Sequence, residues 1–108
     1  MTLGQHQEAF SRDLVKLLLK AYELGYEARI GEVERPVMVQ EHYVKTGRSK
    51  TMKSQHLNKT AADIHFTKDG KLCYPKELGD YWESLDPRNQ WGGNWKTFKD
   101  FPHLQRTV

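Results

Sequence analysis

Two short stretches of the sequence carry side chains that could bind a metal ion. The first runs from Ser54 to Asp63 and contains His56, and the second contains Asp100 followed three residues later by His103. Two neutral imidazoles and one carboxylate are a donor set typical of zinc, which leaves one coordination position open and lowers the pKa of a bound water towards 7. On residue types alone, a hydrogen-bonded pair of His56 and Asp63 is the simpler explanation of the first stretch.

Three other histidines are candidates for the ligand roles, and the sequence has a single cysteine. His65 lies two residues after Asp63, so on a regular strand both side chains point to one face, and His65 either reaches the metal, supports a ligand or lines a cleft. His6 and His42 have no carboxylate at an informative spacing, and we expect both on the surface. Because Cys73 is a single cysteine, it excludes an internal disulfide and a cysteine-type zinc site.

Asp100 and His103 can act together only if the chain bends between them, because residues i and i+3 of a straight strand point to opposite faces. Pro102 favours such a bend. A helical turn beginning near Asp100 would also bring them together, with Asp100 as its N-cap. As a functional group, Asp100 would be a general base and acid that takes a proton from water and passes it to a leaving amine.

The elements around these residues predict an α+β fold. Apolar residues recur at three- and four-residue steps over residues 7–24, which predicts an amphipathic helix that ends at Gly25. Alternating residues 26–30 and the apolar stretch 61–66 predict two strands, of which the first is half-buried. Asp69-Gly70 then predicts a tight hairpin and a partner strand beginning near Leu72.

The other segments predict helices and loops that flank an antiparallel sheet. Pro36 favours a short helix over residues 37–43, and a polar loop follows over 45–53. A further helix over residues 78–85 should end before Asp86-Pro87, and residues 91–95 form an aromatic-rich turn. With 108 residues, 37% of them hydrophobic, we expect one domain spanning 1–108.

Hydropathy and net charge limit the kinds of membrane association and binding partner that we expect. The longest apolar run, Leu17-Leu18-Leu19, is far shorter than a membrane span, and the N-terminus lacks a signal-peptide core. We therefore expect synthesis in the cytoplasm without a signal peptide and no membrane insertion. A net charge of +3 with a pI near 9.0 is compatible with attraction to nucleic acid or to an anionic wall polymer, and equally with ordinary surface lysines.

The pattern Ser-x-His-x6-Asp that begins at Ser54, with the later acidic-x-x-His that begins at Asp100, resembles the signature of the zinc D,D-carboxypeptidase and L-alanyl-D-glutamate endopeptidase family (peptidase M15, VanY-like). The likeness is greatest to its compact phage endolysins, which share a fold with hedgehog proteins. Arg35-Pro36-x3-Gln40 is similar to the family's Arg-[Thr/Ser]-x3-Gln segment, and the aromatic turn also matches. The resemblance covers residues 33–103, most of the chain.

The resemblance implies that one Zn²⁺ is held by His56, Asp63 and His103. It also implies that Asp100 is the catalytic acid and base, and that Arg35 stabilises the oxyanion that forms on the substrate carbonyl. From the residues alone, a surface arginine paired with a neighbouring glutamate is the simpler explanation of Arg35.

Three further residues are implied as substrate-binding: Ser54, Gln40 and Trp95. Ser54 would orient a ligand or bond the substrate, and Gln40 is either such a group or an exposed helix residue. Trp91 and Trp95 either line a cleft for peptide or sugar or pack in the core.

The sequence departs from the family pattern at two positions. Lys59 stands where the family commonly has glycine, so the turn after His56 either avoids positive φ or holds a strained lysine. Asp100 stands where carboxypeptidase members often have glutamate.

The expected function is hydrolysis of a peptide bond in the stem or cross-link of peptidoglycan. The alternative is a non-catalytic basic module on the same fold that binds wall polymer or nucleic acid, with the aromatic and lysine side chains of residues 91–99 as its platform. For the peptidase we expect a peptidoglycan peptide as partner, no nucleic acid, a monomer, and access to the wall by holin-type release or virion delivery.

Overall fold

The computed structural model describes residues 1–33, 45–47 and 55–108, and the side chains of all these except residues 55 and 56. The helix predicted over residues 37–43 and most of the polar loop lie outside the described residues. So do the side chains of Arg35, Gln40, His42 and Ser54.

The N-terminal helix α1, Leu3–Glu23, begins earlier than its apolar pattern predicts. A capping box starts it: the Thr2 hydroxyl oxygen accepts from the Gln5 N–H, and the Thr2 N–H donates to Gln5 Oε1. Such reciprocal bonds satisfy backbone groups that the first turn leaves without helical partners. At the other end Gly25 has a φ of 89°, which confirms the predicted glycine stop.

The buried side of α1 shows that the expectation for His6 is wrong. Its buried residues are His6, Phe10, Asp13, Leu17 and Ala21, spaced at three and four residues. His6 is only 6% exposed. The periodicity of the apolar residues therefore extends back to His6. A polar residue type such as histidine does not by itself predict a core position.

In the described residues, five antiparallel strands form the sheet. They are β1 (Glu27–Ile30), β2 (Ala61–Lys68), β3 (Lys71–Cys73), β4 (Asn89–Trp91) and β5 (His103–Arg106). The order is β1-β2-β5-β4, and β3 pairs with the end of β2. Asp69 and Gly70 both have positive φ, 52° and 76°, which confirms the tight β2–β3 hairpin. The sequence did not predict β4 and β5.

A later helix, labelled α2, spans Lys76–Leu85 and ends before Asp86, as predicted. Trp82 of α2 is fully buried, and Phe10 of α1 meets its ring edge-on with centroids 5.6 Å apart. Ile30 is 58% exposed, so the half-buried pattern predicted for β1 fails at its end. Within the described residues, no helix is both long and apolar enough to cross a membrane.

Alternation along β2 separates a packing face from a polar face. Ala62, Ile64 and Phe66 belong to the hydrophobic core, together with residues of α1 and α2. Asp63 and His65 lie between them and are half-buried. Because successive strand residues point to opposite faces, these two side chains lie on the face away from the core. The α+β fold thus places Asp63, one of the predicted ligands, and its neighbour His65 on the polar side of the sheet.

Candidate metal site

The centre of the candidate site is a cross-strand pair. Asp63 of β2 and His103 of β5 are Cα partners in the antiparallel pairing of these strands. Directly opposed residues have Cβ atoms about 5 Å apart, which is close enough for their side chains to share a ligand. His103 Nδ1 lies 3.6 Å from Asp63 Oδ1. Strand register therefore brings together two residues that are far apart in the sequence.

A tight turn adds Asp100 to this pair. The His103 N–H donates to the Asp100 carbonyl oxygen at 3.1 Å, and the Ile64 N–H donates to the Pro102 carbonyl oxygen at 2.9 Å. The chain reverses between Asp100 and His103, so that His103 Nδ1 lies 4.0 Å from Asp100 Oδ2. The bend that Pro102 favours is therefore present, and it is a tight turn rather than a helical one.

The aromatic turn fixes the position of Asp100. The Asp100 N–H donates to the Gly92 carbonyl oxygen at 3.1 Å, and the Trp91 indole N–H donates to the Phe101 carbonyl oxygen at 2.8 Å. A Cβ atom on Gly92 would lie 2.2 Å from the Asp100 carbonyl oxygen, so only glycine allows this approach. Trp91 is 5% exposed, which decides its two alternatives in favour of the core.

Ligand atoms of Asp63, Asp100 and His103 all lie within 4.8 Å of one another. His103 is buried, and the two carboxylates are half-buried. Two like charges this close favour a cation between them, because repulsion otherwise opposes their simultaneous ionisation. One imidazole nitrogen and carboxylate oxygens are donors that Zn²⁺ accepts. These side chains therefore fit a zinc ion.

The third predicted ligand, His56, lies in a short 3₁₀ helix, Gln55–Asn58, just before β2. Its side chain is outside the described residues, so its ligand role stays a prediction. Lys59 follows with a φ of 57°, which shows that the turn holds a lysine in the left-handed region. The Gln7 side-chain amide donates to the Asn58 carbonyl oxygen at 3.0 Å and ties this turn to α1.

His65 lies beside the site and is bonded elsewhere. Its Nδ1 is 2.7 Å from the Tyr74 hydroxyl. It is not among the three residues that converge as a metal group in the described part of the chain. Burial, and then the nearby Asp100 and Asp63 carboxylates, raise the pKa of Tyr74 above its ordinary value. No pattern in the sequence points to Tyr74, because only the β2–β3 hairpin brings it next to His65.

Two more side chains contact His103 directly. The Trp95 ring lies 5.2 Å from the His103 ring, centroid to centroid, and is half-buried. His103 Nε2 lies 2.7 Å from Gln105 Oε1. Sequence analysis missed Gln105; recognition of β5 would have found it, since residues i and i+2 of a strand share a face.

Comparison with known proteins now identifies the family. Residues 47–106, more than half of the chain, match the family described as D-alanyl-D-alanine carboxypeptidase. The chain belongs to this family of M15 peptidases. The matched region contains Ser54, His56, Asp63, Asp100 and His103, whereas Arg35 and Gln40 precede it.

Two known proteins are similar to this chain. The L-alanyl-D-glutamate peptidase of Listeria phage A118 is 33% identical over a 95-residue alignment that covers 83% of this chain and 34% of the relative. The chain thus spans about a third of that protein's length. The solved structure of the Serratia marcescens L-Ala D-Glu endopeptidase ChiX is 26% identical with a TM-score of 0.65, covering 96% of this chain and 85% of that one. The resemblance and the predicted fold are both confirmed.

Proposed function

We propose that this member of the D-alanyl-D-alanine carboxypeptidase family is a zinc-dependent murein peptidase that hydrolyses a peptide bond in the stem or cross-link of peptidoglycan. The observation that carries the proposal is the convergence of Asp63, Asp100 and His103 within 4.8 Å on the polar face of the sheet. The names of the two relatives, an L-alanyl-D-glutamate peptidase and an L-Ala D-Glu endopeptidase, support a peptidoglycan stem peptide as substrate.

In this proposal Asp63, His103 and His56 hold one Zn²⁺. Zinc bound there would supply a Lewis acid and lower the pKa of a water molecule towards neutrality. The side chain of Asp63 is 21% exposed and that of His103 is 6% exposed, as suits groups that face an ion rather than solvent. Strand pairing holds both in place before any ligand arrives, which reduces the cost of organising the site.

Asp100 is the proposed general base and acid. Its side chain is 44% exposed, about twice the value for Asp63, so it remains open to water and substrate. The Asp100 carboxylate takes a proton from the attacking water and then delivers it to the leaving amine, so that one group serves both halves of the hydrolysis. The turn that is bonded to Gly92 brings the Asp100 side chain, which is shorter than the glutamate common in carboxypeptidase members, close to His103.

The remaining assignments concern the substrate. Arg35 would stabilise the carbonyl oxygen as it becomes negative, a contribution of about 10²–10³-fold in rate. Ser54 and Gln40 would bond the peptide. Trp95, half-buried beside His103, offers an aromatic surface next to the reacting centre. The net charge of +3 would favour approach to an anionic wall.

The test is digestion of purified peptidoglycan by the purified protein with zinc supplied, followed by mass spectrometry of the products. New peptide termini are expected, and their identity decides between a D-Ala–D-Ala and an L-Ala–D-Glu bond. His56→Ala should abolish cleavage. His42→Ala is the matched control and should cleave at the wild-type rate.

A wild-type protein that binds peptidoglycan yet releases no peptide, with zinc supplied, would contradict catalysis. That result would favour the alternative of a basic wall-binding module. Binding can be measured in the same experiment by sedimentation of the insoluble wall.

A further inference from the structure

Gln105 bonds the ring nitrogen of His103 that faces away from the two carboxylates. His103 Nε2 lies 2.7 Å from Gln105 Oε1, while Nδ1 faces Asp63 and Asp100. Both residues lie on β5 two positions apart, so their side chains share the polar face. The imidazole is therefore held between an amide on one side and the proposed metal site on the other.

The Gln105 amide has two further side-chain partners. Its NH₂ group donates to Gln90 Oε1 at 3.3 Å and to Thr107 Oγ1 at 3.1 Å. In this arrangement the amide oxygen is the atom that faces His103. The Gln105 backbone is also fixed, because its carbonyl oxygen accepts from the indole N–H of the buried Trp82 at 3.1 Å.

An amide oxygen only accepts hydrogen bonds, so His103 Nε2 must carry the proton. In a neutral imidazole the other nitrogen, Nδ1, then holds the lone pair, and Nδ1 is the atom that faces Asp63 and Asp100. The two carboxylates act in the opposite sense, since they would favour a proton on Nδ1. Without an acceptor at Nε2, the proton would move to the atom that a metal needs.

We infer that Gln105 is a positioning residue that selects the Nε2–H tautomer of His103 and so keeps Nδ1 available to a metal ion. The effect on zinc binding rests on the proposed function, whereas the choice of tautomer rests on the contact between Gln105 and His103. Partners of this kind typically change metal affinity by about 10–100-fold. Gln90 and Thr107 would favour the same tautomer indirectly, because they bond the Gln105 amide in the orientation that directs its oxygen at His103.

The experiment uses Gln105→Met, which keeps length but removes the acceptor, and Gln105→Glu, which restores one. In zinc-free, ¹⁵N-histidine-labelled protein in alkaline buffer, long-range ¹H–¹⁵N correlations report which ring nitrogen of His103 is protonated. The signal is assigned by its absence in His103→Asn. Zinc affinity is measured in parallel by competition with a chelator, and thermal unfolding of the zinc-free variants checks that they fold.

The expected result is Nε2–H in the wild type, a shift towards Nδ1–H in Gln105→Met, and zinc binding that is about 10–100-fold weaker in that variant. Gln105→Glu should restore both, and Gln90→Met should lose less than Gln105→Met. An unchanged tautomer in folded Gln105→Met, or a loss that Gln105→Glu shares in full, would overturn the inference. Absence of zinc binding by the wild type would contradict the proposed function alone, since the tautomer comparison needs no metal.

Discussion

The two faces of β5 hold buried polar groups in opposite electrostatic settings. On one face, His103 lies next to the carboxylates of Asp63 and Asp100. On the other face, Arg106 is 3% exposed, pairs with Asp86 at 3.0 Å, and donates through Nε to His6 Nδ1 at 3.2 Å.

This difference distinguishes a candidate binding site, around His103, from a group of structural contacts, around Arg106. On the Arg106 face, the guanidinium cation contacts the Asp86 carboxylate and the acceptor nitrogen of His6. The bond to His6 joins α1 to the sheet. The His103 face gathers two anions around a nitrogen donor, an arrangement that a cation would complete and that folding alone does not require. Charge matching, more than burial, distinguishes the two.

Positive backbone φ angles also occur close to the candidate site in the sequence. Three described residues other than glycine have positive φ: Lys59, Asp69 and Phe98. Asp69 occupies the hairpin position that demands it, whereas Lys59 follows His56 and Phe98 precedes Asp100 by two residues. Strained backbone tends to collect at functional sites, where surrounding structure holds it in place.

The largest expected effect is on catalysis, from Asp100→Asn. Removal of the base should lower the rate of peptidoglycan cleavage by about 10²–10⁴-fold. Zinc should stay bound, because Asp63, His103 and His56 are the proposed ligands. Cleavage rate and zinc content, both measured on the same preparation, check this.

Asp69→Asn is the matched control for that variant. It removes one carboxylate from the exposed hairpin, and asparagine tolerates positive φ, so rate and fold should be unchanged. If Asp100→Asn loses its zinc, Asp100 is a ligand and the assignment of the base is wrong.

The next effect is on stability, from Arg106→Met. Loss of the guanidinium leaves Asp86 and His6 without their buried partner, which should lower the free energy of unfolding by about 1–3 kcal/mol. Zinc affinity should stay close to wild type. Urea unfolding of zinc-free protein measures the first quantity. Arg88→Met, at an exposed arginine, should have the smaller effect, and equal losses in both variants would contradict a special role for Arg106.

A third effect is confined to mildly acidic pH and comes from His6. Burial, and then the positive charges of Arg88 and Arg106, hold the pKa of His6 below its ordinary value, although Asp86 acts in the opposite direction. The unfolded chain binds the proton near pH 6.5 and the folded chain does so only at lower pH. Stability is therefore complete above about pH 6.5 and is lost as the pH falls through that value towards the pKa of the folded state.

His6→Gln tests this pH dependence, since its amide oxygen can still accept from Arg106 but does not titrate. Urea unfolding between about pH 7.5 and pH 5.5 should show a shallower loss of stability than in the wild type. Identical slopes for the two proteins would rule out His6 as the source.

The smallest effect is expected from Lys59→Gly. A lysine in the left-handed region costs about 1 kcal/mol, and glycine removes that cost but adds freedom to the unfolded chain. We therefore expect a gain of less than about 1 kcal/mol in the free energy of unfolding. Lys71→Gly, at an exposed position of β3, should instead destabilise the protein. A loss of stability in Lys59→Gly would mean that the side chain is needed where it stands.

Local signals predicted most of the fold. The amphipathic steps of α1, the Asp69-Gly70 turn and the end of α2 before Asp86 each depend on neighbours in sequence, and each is confirmed. The strands β4 and β5 are only three and four residues long and mix polar with apolar side chains. Their pairing depends on distant partners, which no local pattern reports.

The same limit applies to the site. Residue types and the family resemblance pointed to Asp63, Asp100 and His103, which the structure brings together. Tyr74 and Gln105 were missed because hairpin and strand register place them. His6 was assigned to the surface although it falls on the apolar stripe of α1, since its type is polar and its partner Arg106 is distant in sequence.

The most direct test of the account is a zinc-binding isotherm for the wild type and for His103→Ala, with circular dichroism to establish that both are folded. We expect one zinc ion per wild-type chain and no binding at the same concentrations by a folded His103→Ala. Equal zinc binding by the two proteins, or none by the wild type, would contradict a zinc site built on His103.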